Sequence, residues 1–137
     1  MDNKSCVKLQ FFSDINRVRD IVLKLLDFID QHSPSNEARS DLRLVLNELL
    51  YNAVIHGNKK DPQKRVYVRI NVEGTVLHAQ IQDEGLGFNF PQAIEYAKTE
   101  EALFYENNRG VILVSGLTDN LSFNETGNII RFEKRLK

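Results

Sequence analysis

The chain has 137 residues, 42% of them apolar, with 18 Lys and Arg against 19 Asp and Glu for a net charge of −1. That length suits one compact domain over residues 1–137, and near-neutral charge argues against bulk electrostatic capture of nucleic acid or anionic lipid. A single Cys6 excludes an intramolecular disulfide, and His32, His56 and His78 lack metal-ligand spacing. No apolar run approaches the roughly 20 residues that span a bilayer, and the polar start from Met1 to Ser5 does not read as a signal peptide, so a cytoplasmic protein away from membranes is expected.

Val7 to Phe12 reads as a short strand. Ser13 is the expected N-cap of a first helix, with Asp14 in its first turn. Ile15, Val18, Val22, Leu25 and Ile29 form its apolar stripe until Ser33-Pro34 stops it. A second helix starts near Ser35, carries Ala38, Leu42, Val45, Leu49 and Ala53 on its core face, and is expected to end at Gly57 in the left-handed C′ conformation. After a basic loop over residues 59–65 the period changes to two. Val66, Val68, Ile70 and Val72 define one buried strand face, and Leu77, Ala79 and Ile81 define the next across a Glu73-Gly74 turn. Residues 91–109 are weakly helical, then acidic and irregular, a composition suited to a mobile cover. Gly110 to Thr118 reads as a short helix, and Leu121 to Asn124 with Ile129 to Leu136 as a closing hairpin. This order predicts an α+β fold, a two-layer sandwich with helices on one face of a mixed, mostly antiparallel sheet.

Three places resist a purely structural reading. Glu48, Asn52 and His56 follow one another at four-residue steps and form one polar stripe of the second helix, either a solvated edge or the lining of a polar cavity. Asp83 falls on the buried face of its strand by parity, so it needs a hydrogen-bond donor from the protein or from a ligand amine. Gly85 and Gly87 after it permit close backbone approach to a flat heterocycle or phosphate, or simply a strand-exit turn. Asn107-Asn108-Arg109-Gly110 opens a short helix, whose free amides and arginine suit a phosphate, although a plain helix-start loop has the same composition. No P-loop and no hydrolase nucleophile elbow occurs.

In this order the three places resemble the N box and the two glycine boxes of the GHKL ATPase superfamily, the group containing DNA gyrase B, MutL and the histidine kinases. Glu48-x-x-x-Asn52-Ala53-x-x-His56-Gly57 has the form E-x-x-x-N-A-x-x-H-G, and Asp83-x-Gly85-x-Gly87 the form D-x-G-x-G. Arg109-Gly110-Val111-Ile112-Leu113-Val114, followed by Leu117-Thr118-Asp119, resembles the R-G-I-x-L-[IV]…L-M-D stretch of some members. Within the superfamily the chain is most similar, from about Phe11 onward, to small bacterial anti-sigma-factor serine kinases.

The resemblance implies a Bergerat ATP-binding fold with ATP and Mg²⁺ as ligands. It implies Glu48 as general base, Asn52 as the Mg²⁺ ligand, and Asp83 as acceptor for the adenine amino group. His56, Gly85, Gly87, Asn108, Arg109, Gly110 and Asn128 complete the nucleotide site, under an ATP lid over residues 98–109. It implies transfer of the γ-phosphate to a serine of a STAS-domain antagonist, binding of a sigma factor, and a homodimer through the first strand and helix. The pattern departs where Asn108 stands for a common glycine, where Glu106 stands near a common arginine, and where Gly127-Asn128 replaces Gly-Thr. Those departures keep a second expectation open, a non-catalytic ATP-binding switch that controls a partner protein.

Overall fold

The computed structural model describes residues 5–85 and 106–137, with side chains assigned in the last helix from Gly110 onward except Val111. Strand β1 (Cys6–Phe12) leads into helix α1 (Ile15–Asp30) and helix α2 (Asn36–Asn52), which continues as a π-helical turn over Ala53–Gly57. Strands β2 (Arg65–Glu73) and β3 (Val76–Gln82), helix α3 (Glu106–Leu117), and strands β4 (Asn120–Phe123) and β5 (Ile129–Arg135) complete the described order.

Helix α1 is capped one residue later than the sequence suggested. The Asp14 carboxylate accepts from the Asn16 amide at 2.9 Å. Ser13 is instead buried, and both its amide and its hydroxyl donate to the Lys64 carbonyl, at 2.9 and 3.0 Å. With Asp14 capping the helix, Ser13 instead joins the β1–α1 corner to the loop before β2. Ile15 is exposed, so the buried stripe begins at Val18 and runs through Val22, Leu25 and Ile29 as expected. Ser33, with φ of 52°, takes the left-handed conformation that ends α1 ahead of Pro34. Ser35 then caps α2, its hydroxyl accepting from the Ala38 amide at 3.0 Å.

The five strands form one sheet in the order β1-β2-β3-β5-β4, and each of its four pairings is antiparallel. The expected mixed character is therefore not seen among the described residues. Gly74, at φ of 61°, opens the two-residue turn between β2 and β3. The period-two pattern sends Val66, Val68, Ile70, Leu77, Ala79, Ile81, Ile130 and Phe132 into a core shared with α1 and α2. The other sheet face carries Tyr67, and beside it Arg69, His78, Gln80, Ser122 and Arg131 line a groove of about 230 Å³. Helix α2 is tied to β5 by the Asp41–Lys134 pair at 2.9 Å, with 18% and 14% of the two side chains exposed. No helix among the described residues is long and apolar enough to cross a membrane.

Candidate nucleotide site

Helix α2 sets the site's axis because one face is committed to the core. Leu42, Val45, Leu46, Leu49 and Leu50 are buried, which leaves Glu48 and Asn52 half-buried on the adjoining flank. Glu48 faces α3 at Gly110. A β-carbon placed on Gly110 would fall inside the Glu48 carboxyl group, so glycine is what lets this carboxylate lie against the helix. Helix α3 begins at Glu106, so Gly110 lies a full turn inside it. The free amides of that helix end belong to its first four residues, earlier than the sequence suggested.

After Asn52 the helix widens. The Asn58 amide donates to the Ala53 carbonyl at 2.8 Å, a five-residue step, and the Lys60 amide to the Val54 carbonyl at 2.8 Å. His56 lies on this wider turn and is exposed, so the regular four-residue stripe holds for Glu48 and Asn52 and is not continued by His56. Gly57 does not take the left-handed conformation expected of it; Lys59 and Lys60 do, with φ of 55° and 61°. Its reason for being glycine is space, since a β-carbon there would strike the Asp83 carboxyl group.

Asp83 sits where strand parity placed it, 9% exposed at the end of β3. Its amide donates to the Asn128 carbonyl at 3.0 Å, and its Oδ1 accepts from the Gly85 amide at 2.8 Å. Burial raises the Asp83 pKa above its ordinary value, opposed by the Gly85 N–H and by the charge of Lys64. A β-carbon on Gly85 would meet the main-chain carbonyl of Gly57, so the two glycines and Asp83 lock into one another. Asn128 joins this cluster through its backbone. Its side-chain oxygen accepts from Asn124 Nδ2 at 2.6 Å and Thr126 Oγ1 at 2.7 Å within the β4–β5 turn.

Sequence reasoning missed Asn58, which has no exposed surface. Its Oδ1 accepts from the Glu84 amide at 2.7 Å, and its Nδ2 donates to Ser13 Oγ at 2.7 Å and to the Arg65 carbonyl at 2.9 Å. The Glu84 carboxylate in turn accepts from the Arg65 amide. The available signal was a short amide side chain immediately after the N-box motif, but its partners lie 45, 26 and 7 residues away.

Two carboxylates thus mark the ends of one flank of α2, Glu48 against Gly110 and Asp83 against Gly57. Asn52 lies between Glu48 and Gly57 along the helix. Among the described residues no group of three or more His, Cys, Asp and Glu is arranged for a metal ion. Mg²⁺ held mainly by phosphates and water would need only one or two protein oxygens, and the Asn52 amide can supply one. Of the expected site residues, Gly87, the side chains of Asn108 and Arg109, and the lid segment 98–105 lie outside what is described. Residues 106–109, counted with that lid, form the first turn of α3.

The antiparallel sheet with α1 and α2 packed on its core face defines an α+β two-layer architecture. The histidine kinase-like ATPase domain family matches residues 11–134, and the chain belongs to that family. It is 28% identical over 113 residues to the anti-sigma F factor of Bacillus subtilis (strain 168), covering 80% of this chain and 77% of that protein. Similarity to the anti-sigma F factor of Geobacillus sp. (strain WCH70) is 28% over 95 residues, covering 69% and 65%. Among solved structures, that of the RsbU and RsbW domains of Rv1364c from Mycobacterium tuberculosis superposes with a TM-score of 0.67 at 14% identity. The superposition covers 97% of this chain and about a third (32%) of that one, and supports the fold alone. The GHKL resemblance read from the three boxes therefore stands, with anti-sigma factors among the relatives.

Proposed function

We propose that this chain is an ATP-dependent serine kinase of the anti-sigma-factor type. It would bind Mg-ATP along the α2 flank and transfer the γ-phosphate to a serine of a STAS-domain antagonist. The observation that carries the reading is the pair of carboxylates, Glu48 and Asp83, each lodged against a glycine that cannot bear a side chain without displacing it. The anti-sigma F factors at 26–28% identity support the biological setting, in which a sigma factor is the alternative partner. A homodimer through β1 and α1 belongs to the same reading, as does a cytoplasmic location.

In this scheme Asp83 accepts from the exocyclic amino group of adenine. Guanine presents a carbonyl at that position, so the site discriminates against it. Gly85 and Gly87 let the backbone pass close to the base, while His56, Asn108, Arg109, Gly110 and Asn128 complete the nucleotide contacts beneath a lid over residues 98–109. Asn52 offers its amide oxygen to Mg²⁺, which would neutralise phosphate charge when bound. Glu48 takes the proton of the attacking serine hydroxyl. The serine oxygen bonds to the γ-phosphorus as the bond to the β–γ bridging oxygen breaks, leaving ADP. Catalysis rests on positioning and charge stabilisation rather than on a covalent enzyme intermediate.

Calorimetric titration with Mg-ATP and Mg-GTP, each repeated on Asp83→Asn, tests binding. Incubation with γ-labelled ATP and a STAS-domain protein tests transfer. Selective ATP binding, lost in the variant, together with labelled phosphoserine on the STAS protein, is the expected result. Glu106 and Asn108 at the second glycine box favour a second reading, a non-catalytic ATP-binding switch. That reading predicts the same calorimetry with no label transferred.

A further inference from the structure

Asp83 would recognise a base only if the backbone that carries it is held still, and the structure shows what holds it. The strand ends at Gln82, so Asp83, Glu84 and Gly85 lie beyond the ladder of β2 and β3. Asp83 keeps one main-chain bond, to the Asn128 carbonyl. The next amide, that of Glu84, is received by the side chain of Asn58, and the one after it, Gly85, by Asp83 itself. Asn58 is therefore the side chain from outside the turn that fixes its middle residue.

Asn58 is itself immobilised from two further directions. Its Nδ2 reaches Ser13 at the β1–α1 corner and the Arg65 carbonyl at the head of β2, and its amide closes the π turn on Ala53. A fully buried amide with each polar atom used has one orientation, because turning it over would set donor against donor at Glu84 and carbonyl against carbonyl at Arg65. The same π turn carries Gly57, on which the Asp83 carboxyl rests. One short segment thus sets both the floor under the Asp83 carboxyl and the height of its backbone.

We propose that Asn58 is a positioning residue for nucleotide recognition, acting through the Glu84 amide to hold the Asp83 carboxylate at the adenine edge. This inference rests on the nucleotide reading above. Loss of a single neutral hydrogen bond corresponds to as much as about a tenfold change in an equilibrium, so Asn58→Ala is expected to weaken Mg-ATP binding by about tenfold. Leu77→Ala, a buried residue at the far end of β3, supplies a destabilised chain whose site is untouched.

Calorimetry with Mg-ATP on the three chains, alongside thermal melting of each, decides the matter. The expected ranking of affinity is wild type and Leu77→Ala together and Asn58→Ala lowest, irrespective of the order of melting temperatures. Equal affinity of Asn58→Ala and wild type overturns the proposal. So does an affinity loss that follows the melting temperature across all variants. If the wild-type chain binds no Mg-ATP, the nucleotide reading falls and this proposal falls with it.

Discussion

The carboxylate of Glu48 occupies the space where Gly110 would carry a β-carbon. A helix-interior glycine costs about 1 kcal/mol relative to alanine, so α3 gives up local stability at the point where α2 presents its acidic side chain. Gly110→Ala is expected to recover that stability, because the obstructing atoms belong to a Glu side chain rather than to backbone. The same change would push Glu48 aside. Melting temperature should be no lower than wild type, while the transfer rate at saturating Mg-ATP falls about 100-fold or more, as it would in Glu48→Ala. A Gly110→Ala chain with wild-type transfer would refute the assignment of Glu48 as base.

Asp83 gives a prediction about acidity. Burial raises its pKa in the folded chain, so folding favours the protonated form. The contribution of this group to stability is fully present below the ordinary carboxylate range and is lost as pH rises through the raised folded-state value. Asp83→Asn removes the buried charge while retaining an oxygen for the Gly85 amide. Its melting temperature should exceed that of wild type near neutral pH, and the gap should narrow as the solution is acidified. A gap that widens toward acid would show that burial does not dominate at this carboxylate. The same variant should lose about 10- to 100-fold in Mg-ATP affinity, because a hydrogen bond to a charged acceptor has been weakened.

The two glycines that frame Asp83 should respond unequally. In Gly57→Ala the new methyl group meets a side-chain carboxyl, which can rotate away, at an expected cost of about 1–3 kcal/mol together with loss of nucleotide binding. In Gly85→Ala it meets the Gly57 main-chain carbonyl, which has no such freedom. Denaturant titration should rank Gly85→Ala as the less stable of the two. The reverse order would mean that the turn after Asp83 yields more easily than the end of α2.

Away from the site, the Asp41–Lys134 pair joins α2 to β5 with little exposure on either side. Asp41→Ala leaves an ammonium group in mostly dry surroundings and is expected to cost about 1–3 kcal/mol, with Mg-ATP affinity unchanged. Calorimetry and melting on this variant separate damage to the scaffold from damage to the site.

The layers were legible in the sequence wherever a periodic pattern met a core. Val66 to Val72 alternate, Val18 to Ile29 recur at helical steps, and both are buried as the pattern required. Asp83 was legible for the same reason, since strand parity carried one step past Ile81 lands on it. Capping and close approach were less so. Ser13 and Asp14 are both competent caps, and only the distant Lys64 carbonyl decides between them. Gly57 read as a helix-end residue with positive φ, whereas its role is to make room for a side chain 26 positions later. Asn58 gave only a faint local sign, a short amide directly after the N-box motif, because what defines it is the meeting of three segments that folding brings together.

The π turn over Ala53–Gly57 makes the site depend on counting as well as on chemistry. An α-helical continuation from Asn52 would reach the same level with one residue fewer and would rotate Gly57 and Asn58 away from Asp83 and Glu84. Helix α2 and its widened end therefore work as a ruler whose graduations are residues. In any relative, a one-position gap or insertion between Asn52 and Asn58 should weigh as heavily as replacement of a motif residue, even where every motif letter is retained.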